Sequence, residues 1–298
     1  MEHPAIINTL GELRERGYKI DYTPVDSDGK VILKDFERLI RPDTFLVTTM
    51  IVNNEIGTIE PIAEMAKILK SVNPRAVFHT DAVQGFGKVP INVDALGVDL
   101  VSLSAHKIHG PKGMGALYIR RGTKIKPIMY GGGQQQGMRS GTENVPGMVG
   151  FGIAAKIAAT DLGKKIERMT ALKERLKTGI LNSIDNVRIN TPDNNAPHIL
   201  NVSFGGTKAE VVLHSLEMQD IFVSSGSACS SHKKEPSYVL TEIGVPRKMI
   251  DGSIRFSLSE FSTAEDVDMT IEALKKIIPR LRLSLIHISE PTRLDVIS

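Results

Sequence analysis

Tryptophan is absent, aromatic residues make up only 5% of the 298, and there is a single cysteine, Cys229. One cysteine excludes an internal disulfide and any metal site built from several cysteines of one chain. Apolar runs are short as well. None reaches the roughly 18 residues that a spanning helix needs, so no membrane partner is expected. Charge of one sign is not in excess either: 37 basic and 34 acidic side chains are interspersed and leave a net +3. That is the pattern of a solvated surface, and it makes no case for bound nucleic acid. The opening Met1-Glu-His-Pro has neither the basic nor the apolar region of a signal peptide, and a soluble, cytoplasmic protein is expected. What is present is an ordinary globular composition, 41% hydrophobic and 24% charged, in a chain long enough for one large or two ordinary domains.

The hydrophobic pattern alternates between the two regular periods. Ile6, Ile7, Leu10 and Leu13 mark a helix face that Gly17 stops, and residues 18–25 read as a strand before the turn Asp26-Ser27-Asp28-Gly29. A helix over 33–40 ends at Arg41-Pro42, and the continuous β-branched run 45–52 reads as a buried strand. Pro61 opens a helix to about Val72, where its missing N–H does no harm. Strands are expected at 76–82, 99–105 and 116–121. Such alternation predicts an α/β fold, a mostly parallel sheet with helices on both faces. A helical stretch over 148–181 bridges to a smaller α+β C-terminal domain. That domain has strands at 199–204, 221–225 and 253–259, and helices at 208–219, 237–243 and 264–281. The domain boundary is placed near residue 160, giving units 1–160 and 161–283. Residues 284–298 break the helical pattern before them, carry Pro291, and are expected to be a non-native tail.

In an open α/β sheet, ligands collect beyond the carboxyl ends of the strands, so polar residues just after each strand matter most. Ser104-Ala105-His106-Lys107 follows one strand. A lysine there can be desolvated, which frees its amine to attack an aldehyde, while Ser104 and His106 suit a phosphate. Read singly, Lys107 is equally an exposed turn lysine. Asp81, in His79-Thr80-Asp81-Ala82-Val83-Gln84, ends another strand. It reads either as the partner of a pyridinium nitrogen or as a helix cap. Asn53-Asn54-Glu55-Ile56-Gly57 follows a third strand, and either asparagine orients a substrate or builds the turn. The glycine-rich segment 131–144, with Arg139-Ser140-Gly141-Thr142-Glu143-Asn144, is a candidate anion-binding loop.

Cys229 lies in Ser224-Ser225-Gly226-Ser227-Ala228-Cys229-Ser230-Ser231-His232-Lys233-Lys234. That context is too polar for a buried structural cysteine and suits an accessible, reactive thiol. His232, Lys233 and Lys234 are placed to favour its thiolate. Arg255 is a single charge in an alternating strand, read either as a clamp for a substrate carboxylate or as a surface ion pair.

Taken together, MEHPAI, VNNEIGT, HTDAVQ, SLSAHKIHGPKG, the GGG…RSGTEN loop, SSGSACSS and SIRFSLS resemble the cysteine desulfurases of the NifS/IscS-like group. That group belongs to the class V aminotransferase family of fold-type I pyridoxal-phosphate enzymes. The resemblance runs from residue 1 to about 283 and implies that Lys107 binds pyridoxal 5'-phosphate covalently while Asp81 pairs with its pyridine nitrogen. It further implies that Gln84 bonds the phenolic oxygen and that His3 stacks on the ring. Ser104, His106 and, from the second subunit of a homodimer, Thr142 would hold the phosphate. Asn54 and Arg255 would orient the carboxylate of L-cysteine. Cys229 would receive the sulfur and pass it to an acceptor such as an iron–sulfur scaffold, where it is also a transient iron–sulfur ligand; no other metal is implied. Members of the group begin earlier, with a further phosphate-binding Gly-Ala-Thr segment, so an N-terminally truncated chain is expected. The competing expectations are a selenocysteine lyase or other class V lyase, and a non-catalytic scaffold homologue.

Overall fold

The apolar runs of the first half line up side by side, and the length of each connection decides their direction. In the computed structural model, which describes residues 1–225 and 236–289, the first sheet has the order β1-β2-β3-β4. Its strands are β1 (Leu46–Met50), β2 (Val77–Asp81), β3 (Leu100–Ser104) and β4 (Gly115–Ile119). β1, β2 and β3 are parallel. They are joined through α3 (Ile62–Val72) and the short α4 (Val93–Leu96), because parallel neighbours need a crossover. The link from β3 to β4 is too short for one, and β4 runs antiparallel. Ahead of β1 lie α1 (Pro4–Glu15) and α2 (Leu33–Leu39). α3 buries Ile62, Met65, Ala66 and Leu69, the i, i+3, i+4, i+7 set, in one core with Phe78 and Val101.

The stretch expected as one helix over 148–181 is two: α5 (Val145–Ala159) and α6 (Leu162–Ser183), bent by 72°. Asp161 causes the break by adopting the left-handed conformation, φ 53°, which no continuing helix tolerates. Beyond it, β5 (Val187–Ile189), β6 (Ile199–Phe204), β7 (Ser224–Ser225) and β8 (Ser253–Ser257) form an antiparallel sheet in the order β5-β6-β8-β7. Leu200, Val202 and Phe204 of β6 join a core with α6, α7 (Ala209–Glu217) and α10 (Ala264–Ser289). The alternate residues face the first unit: Ile199 enters its core, and Asn201 donates to the Glu55 carbonyl at 3.1 Å. Two short helices, α8 (Tyr238–Glu242) and α9 (Arg247–Ile250), pack with Ile56 in a third cluster. α10 continues through Ser289, and residues 290–298 lie outside the described part.

Two strand expectations also need correction. Residues 18–25 form no strand. A strand needs a partner, and this segment instead lines, together with Leu46, Val47, Thr48 and Thr49 of β1, a cavity of about 480 Å³. Glu2 stands in for a neighbouring backbone there by accepting the Met50 N–H at 2.7 Å. The strand expected over 221–225 is reduced to Ser224–Ser225, and β5 was not foreseen because only three residues pair.

Candidate active site

β2 and β3 end next to each other, with Asp81 opposite Ser102 in the register. The Asp81 carboxylate accepts the Val83 N–H at 2.8 Å, which fixes its direction at the sheet end. Two residues earlier, His79 lies 2.8 Å from the Thr48 hydroxyl and 2.8 Å from the Ser102 hydroxyl, tying three parallel strands together below Asp81. Burial pushes the His79 imidazole down from its usual value, against the pull of the nearby Asp81 charge.

The chain leaves β3 through a tight 3₁₀ turn, Ala105–Ile108, closed by His109 at φ 61° and by the Gly110 N–H to the Ala105 carbonyl at 2.9 Å. Ala105 and Ile108 point into the core, which turns His106 and Lys107 outward. Gly110 is required: a Cβ there would stand 3.0 Å from the Ala105 carbonyl oxygen and 3.2 Å from Ala154 of α5. The Ser104 hydroxyl lies 2.7 Å from His106 Nδ1, so the two side chains form one polar unit beside Lys107.

The turn after β1 and residues of the second unit meet beside these strand ends. Asn53 builds the turn after β1: its Oδ1 accepts the N–H groups of Glu55 and Ile56, and its amide donates to the Met1 carbonyl. That division of labour leaves Asn54 for a ligand. It is 9% exposed, and its Oδ1 is buried without a partner among the described residues. Arg255 of β8 donates to the Asn54 carbonyl at 2.7 Å, closing a contact across 201 residues. Gln84 reaches His198, just ahead of β6, at 3.5 Å. His198 is close enough to Lys107 and Arg255 for both charges to act on it. Sequence reasoning missed His198, because nothing local marks a partner 114 residues away.

The remaining candidates are placed less directly. His3 is half-buried and caps α1, its Nδ1 accepting the Ala5 N–H at 3.2 Å. Its neighbour Glu2 is near enough to Asp81 for their charges to interact. Thr142 is exposed in the loop before α5. Cys229 lies outside the described residues, but both flanks of its segment are anchored at the site. Ser224 pairs with Arg255 in the sheet, and the Ser237 hydroxyl donates to the Glu55 carboxyl. Burial raises that carboxyl from 4.5 to about 7. Among the described residues no cluster of metal-ligating side chains occurs.

An acid, an amine and a pair of phosphate-sized donors at adjoining strand ends are the complement of an aromatic aldehyde carrying a ring nitrogen and a phosphate. The buried Asn54 Oδ1, which a ligand N–H or O–H would satisfy, fits the same group. The site is therefore of pyridoxal-phosphate type. Residues 1–270 match the profile of the aminotransferase class-V family. The cysteine desulfurase IscS of Dictyoglomus turgidum is 47% identical over 283 residues, 95% of this chain and 71% of that protein. That of Methanosarcina thermophila is 44% identical over 95% of this chain and 69% of its own. Among solved structures, a NifS-like protein superposes with a TM-score of 0.88 at 40% identity, covering 94% of this chain and 73% of that one. A NifS-like protein from Rickettsia africae gives 0.83 at 34% identity, over 93% and 74%. The chain belongs to the aminotransferase class-V family, in its cysteine desulfurase branch, whose members depend on pyridoxal phosphate.

Proposed function

We propose that the chain removes sulfur from L-cysteine, yielding L-alanine and a persulfide on Cys229. The observation that carries this reading is the meeting of two anchored walls. Lys107, Asp81 and the Ser104–His106 pair stand on one side. On the other, the Arg255–Asn54 contact joins the two ends of the segment that bears Cys229. Cys229 is four residues beyond Ser225. Fully extended, four residues span about 13 Å.

When bound, pyridoxal phosphate supplies the electron sink for chemistry at the substrate carbon. The protein's own residues do the rest. Lys107 would hold the cofactor covalently, and its Nζ would accept the substrate's Cα proton. Asp81 would keep the ring nitrogen protonated, Gln84 would donate to the phenolic oxygen, and His3 would stack on the ring. Ser104 and His106 hold the phosphate with the help of the partner subunit's Thr142. Arg255 and Asn54 orient the substrate carboxylate by charge-assisted and amide hydrogen bonds. The Cys229 thiolate attacks the substrate sulfur: a sulfur–sulfur bond forms, the Cβ–S bond breaks, and its electron pair remains with carbon, which takes a proton to become the alanine methyl.

Val145, Met148, Val149, Ile153 and Ile157 leave an exposed apolar stripe along α5, which supports a homodimer built on this face. The acceptor of the persulfide sulfur is a protein thiol or an iron–sulfur scaffold, with Cys229 a transient ligand during transfer. The proposal includes a boundary between the two units at residue 160, at the bend from α5 to α6, and a cytoplasmic location that cell fractionation checks. Measuring alanine from L-cysteine tests the core of the proposal. Stoichiometric alanine is expected, with none above background from Lys107→Ala. Equal alanine from that variant would overturn the assignment.

A further inference from the structure

We propose that His198 is a positioning residue that fixes which end of the Gln84 amide faces the cofactor. The inference rests on the reading of Gln84 as the residue that meets the phenolic oxygen. His198 is 5% exposed, and its backbone is pinned where its carbonyl accepts the Leu258 N–H at 2.8 Å. Its Nε2 lies 3.5 Å from Gln84 Oε1, while its Nδ1 is buried with no hydrogen-bond partner among the described residues. The charged groups acting on the ring are all cationic: Lys88, Lys173, Arg255 and Lys107. Together with burial, the larger cause, they push the imidazole down to about 3, so it is neutral.

A neutral imidazole carries one proton, and the surroundings decide where. On Nδ1 that proton would be a buried donor without an acceptor, a loss of about 1–3 kcal/mol. A bare Nδ1 lone pair amid cationic side chains is the smaller loss, since under-satisfied acceptors are tolerated better than orphaned N–H groups. The proton therefore sits on Nε2, which donates to Gln84 Oε1. With Oε1 engaged, the amide turns its Nε2–H groups toward the site, where a phenolate oxygen accepts. The opposite orientation would set a carbonyl oxygen against an anionic oxygen, which repel. The pair works as a unit: the histidine spends its proton on one end of the amide so that the other end presents a donor.

An N–H donor stabilises the phenolate oxygen, and the proton that this oxygen shares with the Lys107 nitrogen then leaves more easily. Without the donor, the pH at which the bound cofactor's visible absorption changes moves up by about one unit, the worth of one neutral hydrogen bond. Three variants read this out in the pyridoxal-phosphate-loaded chain. Gln84→Leu and His198→Leu are both expected to shift the transition upward. His198→Gln, whose amide also donates at similar reach, is expected to restore it. A merely structural role for His198 would lower stability and leave the transition in place. Nitrogen-15 NMR of the same chain, which needs no cofactor, is expected to show His198 as the Nε2–H tautomer and still neutral at about pH 5. An Nδ1–H tautomer, or a transition that moves in Gln84→Leu and stays put in His198→Leu, would overturn the inference. A transition unmoved in Gln84→Leu itself would instead remove Gln84 from the cofactor, and the inference would fall with that reading.

Discussion

Arg255 and Asn54 meet across the two units, and the contact sets what a single substitution does. On the proposed role of Arg255 as clamp for the substrate carboxylate, Arg255→Ala would remove a charge-assisted bond worth roughly 1.5–3 kcal/mol, so KM for L-cysteine should rise about 10- to 100-fold. Arg255→Lys should recover little of it, because an ammonium cannot reproduce the fork. Steady-state kinetics decides. The buried carboxyls make a second prediction. Burial raises Glu60 from 4.5 to about 7, and its Oε2 accepts the Val31 N–H at 2.9 Å. A raised carboxyl pKa means the native state holds its proton where the unfolded state has lost it. Stability from this group is therefore full below about 4.5, falls as pH rises, and is lost above about 7. Glu60→Gln keeps a neutral side chain at every pH, so its urea midpoint relative to wild type should climb between about pH 5 and about pH 8. A constant difference would contradict the assignment. At this scale the sequence made legible where Lys107 and Asp81 stand, just beyond or at the ends of adjoining strands. His198 and the division of roles between Asn53 and Asn54 were not legible, because both depend on partners brought close only by folding.

At the scale of elements, α3 forms where Pro61 reads as the opening of a helix, and its Ile62, Met65, Ala66 and Leu69 make the buried face. Residues 18–25 show where pattern reading fails, since an alternating segment becomes a strand only if another backbone lies alongside, and here the segment lines a cavity instead. The long helix over 148–181 failed for a local reason, the left-handed Asp161. α5 keeps its own message. Val145, Val149, Ile153 and Ile157 recur every four residues on one exposed line. Ile153→Glu puts a charge in the middle of the proposed dimer face and should give a monomer by sedimentation equilibrium. A dimer of undiminished stability would place the subunit contact elsewhere.

The whole molecule is two sheets joined by apolar contacts, Ile199 in the first core and Ile56 against α8 and α9, and by polar ones. Asn201 to the Glu55 carbonyl, Ser237 to the Glu55 carboxyl, Arg255 to the Asn54 carbonyl and His198 near Gln84 all cross between the units at the same place. That seam joins the strand ends carrying Asp81 and Lys107 to the sheet edge from which the Cys229 segment departs. With a single cysteine in the chain, a protein-bound persulfide has one address. The most direct measurement is therefore a single turnover with sulfur-labelled L-cysteine, followed by peptide mass spectrometry and alanine quantification. Label on the Cys229 peptide equal to the alanine formed, and absent in Lys107→Ala, is the expected result. Alanine formed at an undiminished rate by Cys229→Ser, with no label on the wild-type Cys229 peptide, would contradict the account.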